Sequence, residues 1–117
     1  MTPFPELVDP LERIDVQASS RGPAIIDIIE RLFELPAGKL ISGGRSRALS
    51  WRRQIAMDLV AVRTGYSSLK IGAMFKRDHT TVFYARRAVA IRNQDSAVCR
   101  AEYQRAEAVL NRRFGFV

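Results

Sequence analysis

The chain has 117 residues, enough for one domain with its own core. A hydrophobic content of 47% excludes a disordered tail, and a lone cysteine, Cys99, excludes an internal disulfide or a cysteine-built zinc site. The net charge of +7 is concentrated: residues 1–38 sum to −4, residues 39–92 carry twelve basic and two acidic side chains for +10, and residues 93–117 sum to +1. A block that basic points to a polyanionic partner: DNA, RNA or an anionic membrane.

Residues 1–20 contain Glu6, Asp9, Glu12 and Asp15 and no apolar run of signal-peptide length. No stretch approaches the ~20 apolar residues of a membrane-spanning helix. A cytosolic location is expected. Thr2–Pro10 holds three prolines and is expected to lack regular structure. Leu11–Gln17 has the pattern of a short helix, and Ala18-Ser19-Ser20-Arg21-Gly22-Pro23 that of a linker. Residues 1–22 therefore read as an arm and linker, and 23–117 as a single helical domain.

Ala24–Leu35 predicts a helix. Ile25, Ile28, Ile29, Leu32 and Phe33 form its apolar stripe, with Asp27, Glu30, Arg31 and Glu34 on the other side. Pro36 and Gly38 end it, and Pro36–Ile41 has the length of one more turn. Ser42-Gly43-Gly44 breaks the pattern and places Arg45-Ser46-Arg47 at the tip of a flexible loop. The next helix runs from about Ala48 to Arg63, with Leu49, Ala56, Leu59, Val60 and Val62 apolar. Arg52, Arg53 and Gln54 lie near its start, where arginine opposes the helix dipole and an external anion would compensate. Trp51 can anchor the loop against the core or stack at the edge of a bound DNA; packing is the favoured expectation.

Thr64-Gly65-Tyr66 is a turn, and Ser67 caps a short helix at Ser68–Phe75. Lys76-Arg77 makes a tight connection, and Asp78 caps a helix from His79 to about Arg92. Asn93-Gln94-Asp95 is expected to break it. Asp95 or Ser96 then caps a last helix reaching about Arg113, whose stripe Cys99, Tyr103, Ala106, Leu110 forms a buried seam. No segment alternates with the period of a strand. The expected fold class is all-α, a helix-turn-helix bundle of about five to six helices, with the motif at about residues 67–92.

On a helical wheel with Thr80 at zero, Val82, Ala85 and Val89 fall between about 140° and 200°, the core side. Phe83, Tyr84 and Arg87 fall within about 60° of Thr80, on the opposite side. Groove reading needs that split. An enzyme is not expected: there is no paired nucleophile and base, no metal-ligand cluster and no phosphate loop, since Gly43-Gly44 lacks a following Lys-Ser/Thr. No cofactor and no nucleotide are expected.

Arg77-Asp78-His79-Thr80-Thr81-Val82 resembles the signature of domain IV, the C-terminal DNA-binding domain of the bacterial replication initiator DnaA, whose bundle is Trp repressor-like. Arg45-Ser46-Arg47 with Arg53-Gln54 and Ala56-Met57 resembles that family's basic loop and following helix. Ile71-Gly72 with Phe75 matches the first helix of its helix-turn-helix. The resemblance covers about Ala24 to Arg92. It implies that Arg45 enters the minor groove, that Asp78, His79 and Thr80 read bases in the major groove, and that Arg53, Gln54 and Thr81 contact phosphates. Ser68 and Leu69 sit where the turn and first helix approach DNA, and Arg47, Lys76, Arg77, Tyr84 and Arg87 complete the candidate interface. The physics supports these roles: a narrow minor groove attracts arginine, aspartate accepts from cytosine N4, and a threonine methyl packs on a thymine methyl. One departure stands out. The family has two glycines between its phenylalanine and the arginine before the aspartate; here Lys76 stands alone between Phe75 and Arg77.

The expected function is sequence-preferring binding of double-stranded DNA at DnaA-box-like sites, in control of transcription or replication initiation, within the bacterial cytoplasm at the nucleoid. The competing reading is a basic RNA-binding or protein-adaptor module that reuses the fold. The deep, narrow major groove of RNA disfavours it. The acidic N-terminal segment offers a surface for a homodimer or a protein partner, and no membrane role is expected because the basic helices need their apolar stripes for the core.

Overall fold

The computed structural model describes residues 10–115, with side chains from Arg21 onward. Within them the chain forms five helices and no strand: α1 (Pro10–Leu32), α2 (Arg47–Thr64), α3 (Ser68–Phe75), α4 (His79–Asp95) and α5 (Ala97–Phe114). The expected irregular segment up to Pro10 lies outside the described residues except for Pro10 itself.

The linker expected at Ala18–Pro23 is corrected: these residues lie inside α1, which runs through Pro23. A proline in a helix interior removes one backbone hydrogen bond and costs about 3 kcal/mol on its own. Tertiary packing overrides it. Ile25, Ile26, Ile28 and Ile29 are all buried immediately after it. Gly22 lies so close to the neighbouring elements that a Cβ there would fall 2.4 Å from Met74 Cε and 3.1 Å from the Tyr66 ring.

α1 ends by its own backbone, before Pro36 acts. Glu34 turns left-handed (φ 58°), its N–H donates to the Arg31 carbonyl, and the Leu35 N–H donates to the Glu30 carbonyl. Glu30 is also not on a solvated face as its position on the wheel predicted; it is only 3% exposed. Its carboxylate accepts from the Gly38 and Leu40 N–H groups at 3.1 and 3.0 Å, so a buried charge finds backbone donors in the loop that follows. Pro36–Ser42 folds as consecutive turns.

α2 is the central helix. Ser46, expected in a flexible tip, caps it by accepting from the Leu49 N–H. Leu49, Trp51, Ile55, Met57, Leu59 and Val60 are buried along it. Val62, expected in the core, is 46% exposed, because it points about 200° away from Val60. Trp51 packs as expected, with its indole N–H donating to Glu102 Oε1 at 2.8 Å and the Arg92 guanidinium over its ring.

Asp58 ties three helices together. Its carboxylate accepts from Arg86 Nε on α4 at 2.9 Å and from the Tyr103 hydroxyl on α5 at 2.6 Å. Arg63 makes a second tie from α2 to α5. It is buried, donates to Asn111 Oδ1 at 2.7 Å and to the Gly115 carbonyl, and lies beside the Phe114 ring. Arg63 therefore belongs to the core and contributes nothing to a basic surface, although it counts in the +10 block. The joint between α4 and α5 is tighter than expected. Asn93, Gln94 and Asp95 are helical, and Ser96 alone makes the break, with its N–H donating to the Arg92 carbonyl and its hydroxyl accepting from the Cys99 N–H. Ala106 and Leu110 are buried, whereas Cys99 and Tyr103 are half-buried at the edge of the core.

Burial and the hydrogen bond to Asp58 hold the Tyr103 phenol well above its ordinary range. The folded state keeps that proton where the unfolded chain loses it, so stability is full below about pH 10 and falls as the pH rises further. Tyr103→Phe is expected to lose about 1.5 kcal/mol at neutral pH, from the hydrogen bond to a charged acceptor. It should also flatten the loss of stability above pH 10. Urea unfolding at pH 7 to 11 checks both.

Candidate nucleic-acid interface

The helix-turn-helix is built from α3, a three-residue connection and α4. Ser67 caps α3 through the Lys70 N–H, and Asp78 caps α4 through the Thr80 N–H. α3 ends as α1 does. Lys76 is left-handed (φ 57°), its N–H donates to the Ala73 carbonyl, and the Arg77 N–H donates to the Gly72 carbonyl. The single lysine therefore occupies the left-handed position that glycine fills at least strain. Gly72 makes the turn possible: a Cβ there would sit 2.7 Å from the Arg77 carbonyl oxygen and 3.3 Å from His79 N. Its backbone touches the start of α4, which is the close approach that a glycine inside a short helix requires.

α4 is divided as the wheel predicts. Val82, Ala85 and Val89 are buried, and His79, Thr80, Thr81, Phe83, Tyr84 and Arg87 are exposed. Phe83 and Tyr84 meet edge to face at 5.4 Å on the exposed side. Asp78 Oδ1 accepts from both the Thr80 N–H and the Thr80 hydroxyl at 2.9 Å, and His79 Nδ1 lies 3.3 Å from the same oxygen. These hydrogen bonds from Thr80 hold the Asp78 carboxyl below the usual carboxylate range. It is thus an acceptor at neutral pH, on a side chain that is largely exposed. Ser68 is half-buried, and Leu69 is 69% exposed on α3.

The basic loop lies beside the motif. Arg45 and Arg47 are exposed, and Arg45 shares a shallow cleft with Lys39 and Arg52. Lys39 was not singled out from the sequence, where its only signal is membership of the basic block; Arg52 was noted there for its place near the start of α2. Arg52 also stacks on the Phe33 ring at 4.7 Å.

Arg53 faces inward. It is 7% exposed, donating from Nε to the Leu40 carbonyl at 2.7 Å and from Nη2 to the carbonyls of Ser42 (3.0 Å) and Gly44 (3.1 Å). Arg77 donates to the same segment, from Nη1 to Ile41 (3.1 Å) and from Nη2 to Ser42 (2.7 Å), and it also donates to the Phe75 carbonyl at 2.6 Å. Arg53, near the start of α2, thus finds its partners within the chain, where an external anion was expected. Burial, and the charge of Arg77 nearby, lower the pKa of the Arg53 guanidinium from its ordinary value. Gln54 lines an open groove of about 460 Å³ between α2 and α4, together with Ser50, Arg77, Thr81 and Tyr84. Its Oε1 is buried without a hydrogen-bond partner among the described residues.

A capped helix, a tight turn and a second helix with a buried flank and an exposed polar first turn define a helix-turn-helix DNA-binding domain. The profile of the bacterial DnaA protein helix-turn-helix matches residues 23–89, and the chain belongs to that family. It is 39% identical over 82 residues to the chromosomal replication initiator protein DnaA of Nostoc sp., covering 69% of this chain and 17% of that protein. The corresponding protein of Mycobacteroides abscessus is 37% identical over 84 residues, covering 72% of this chain and 16% of its own length. The match thus spans about a sixth of these curated relatives. Among the described residues no helix is long and apolar enough to cross a membrane.

Two substitutions in the turn should act in opposite directions. Lys76→Gly relieves a left-handed side chain and is expected to raise stability by about 1 kcal/mol. Gly72→Ala forces a methyl group against backbone and is expected to lower it by about 2 kcal/mol. Denaturant midpoints at unchanged slope check both.

Proposed function

We propose that the chain is a sequence-preferring double-stranded DNA-binding protein that recognises DnaA-box-like sites and regulates transcription or replication initiation at the bacterial nucleoid. The observation that carries this reading is the exposed first turn of α4, with Asp78, His79 and Thr80 presented to solvent while its apolar flank is buried. In this reading α4 enters the major groove by its N-terminus, where Asp78 accepts from cytosine N4 and Thr80 packs on a thymine methyl. Arg45 enters the neighbouring minor groove. Arg47, Lys76, Thr81 and Arg87 approach phosphates, which fix register without reading sequence. Gln54 offers its amide N–H groups to a phosphate, and Ser68 and Leu69 bring α3 to the groove edge. Tyr84 extends the reading surface along α4.

Fluorescence anisotropy with competing duplexes tests this. A duplex carrying a DnaA-type box should outcompete a scrambled duplex by at least about tenfold at moderate salt, and affinity should fall steeply as salt rises because several counterions are released. Arg45→Ala should weaken binding about tenfold with the fold intact, and Thr80→Ala should change base preference more than salt slope. Equal competition by the scrambled duplex would sink the sequence-specific reading. Preference for a structured RNA hairpin would replace DNA by RNA as the partner.

A further inference from the structure

We propose that Arg77 is a positioning residue for Arg45: with Arg53 it forms a clamp that fixes the distance between the two DNA-reading elements. The inference rests on the two-groove reading above and extends it to a residue whose guanidinium bonds within the chain. The carbonyls of Leu40, Ile41, Ser42 and Gly44 all accept from these two guanidiniums, and both share the Ser42 oxygen. Neither arginine forms an ion pair among the described residues. Two cations sharing one acceptor repel each other, so the carbonyls that converge on them must outweigh that repulsion. The planar fork of arginine suits this; the single ammonium of lysine cannot span the same set.

The placement of the clamp gives it a consequence for binding. Arg77 immediately precedes Asp78, the cap of the recognition helix. The segment it grips, Ile41-Ser42, leads through Gly43-Gly44 to Arg45. Arg45 in turn lies between Gly44, whose carbonyl Arg53 holds, and Ser46, which caps α2. One side chain therefore connects the start of major-groove reading to the loop of minor-groove reading. Without it, Arg53 alone holds Ser42-Gly43-Gly44 to the core, the two glycines leave the backbone free to move, and Arg45 must be ordered each time DNA binds.

A double-mutant cycle on a duplex carrying a DnaA-type box tests the clamp. Arg77→Ala and Arg77→Lys are each measured with Arg45 present and with Arg45→Ala, and thermal melting verifies that each variant is folded. With Arg45 present, both should weaken binding about tenfold; in the Arg45→Ala background the loss should shrink below about threefold. Amide hydrogen exchange at residues 41–46 of the free protein should rise in both. If Arg77→Ala does not fold, Arg77→Lys carries the cycle. Equal losses in the two backgrounds, with lysine retaining most of the affinity, would identify a direct phosphate contact and overturn the clamp, as would unchanged exchange at residues 41–46. If Arg45→Ala itself leaves affinity unaltered, the two-groove reading fails and the clamp falls with it.

Discussion

The carbonyls of Leu40, Ile41, Ser42 and Gly44 have no helix or strand to accept hydrogen bonds from, and two guanidiniums take that role. Buried backbone oxygens need partners, and a loop of turns between α1 and α2 offers few of its own. Arg53 supplies them from α2 and Arg77 from the turn before α4, so three separate pieces of chain meet at one point. Glu30 performs the matching service for the N–H groups of Gly38 and Leu40. Loop 36–46 is thereby held from both sides, its Gly38 and Leu40 donors by a carboxylate and four of its carbonyls by arginines. The basic loop is held by the core, although its side chains Arg45 and Arg47 remain exposed.

The scaffold behind this arrangement is α2. Asp58 binds Arg86 and Tyr103, Arg63 binds the end of α5, and Trp51 reaches Glu102. α4 is thus fixed along its length by buried Val82, Ala85 and Val89 and by the Arg86–Asp58 pair, while its first turn is fixed by Asp78 and by the contact of Gly72 with the turn. That rigidity suits the proposed role, in which the exposed side of α4 meets base edges in one register. The left-handed Lys76 is the point of strain in the motif, and it is where the chain departs from the two glycines of the family.

Much of this was legible in the sequence, for local reasons. Ser67 and Asp78 are capping residues followed by apolar helical periodicity, so α3 and the start of α4 could be placed closely. The buried and exposed sides of α4 follow from a 3.6-residue repeat. The family resemblance rested on a contiguous signature, and the profile match over residues 23–89 bears it out. What escaped was non-local. Ala18–Pro23 has linker composition, yet it is helical, because the isoleucines beyond it and the contact at Gly22 outweigh the breakers. Glu30 and Arg53 read as surface charges, since nothing in a single sequence shows that the backbone of loop 36–46 folds over them. Val62, expected in the core, faces outward, while Arg63 beside it is buried and meets Asn111 in α5 and the Gly115 carbonyl just beyond it, some fifty residues away.

The central claim is that α4 and the Arg45 loop act on DNA as one rigid unit spanning adjacent grooves. A structure of the protein bound to a duplex carrying a DnaA-type box tests it most directly. The expected result has Asp78, His79 and Thr80 at base edges in the major groove and Arg45 in the neighbouring minor groove, with the Arg53 and Arg77 hydrogen bonds to the loop unchanged from the free protein. A complex in which Arg45 stays in solvent, or in which another face of the bundle meets the duplex, would contradict it.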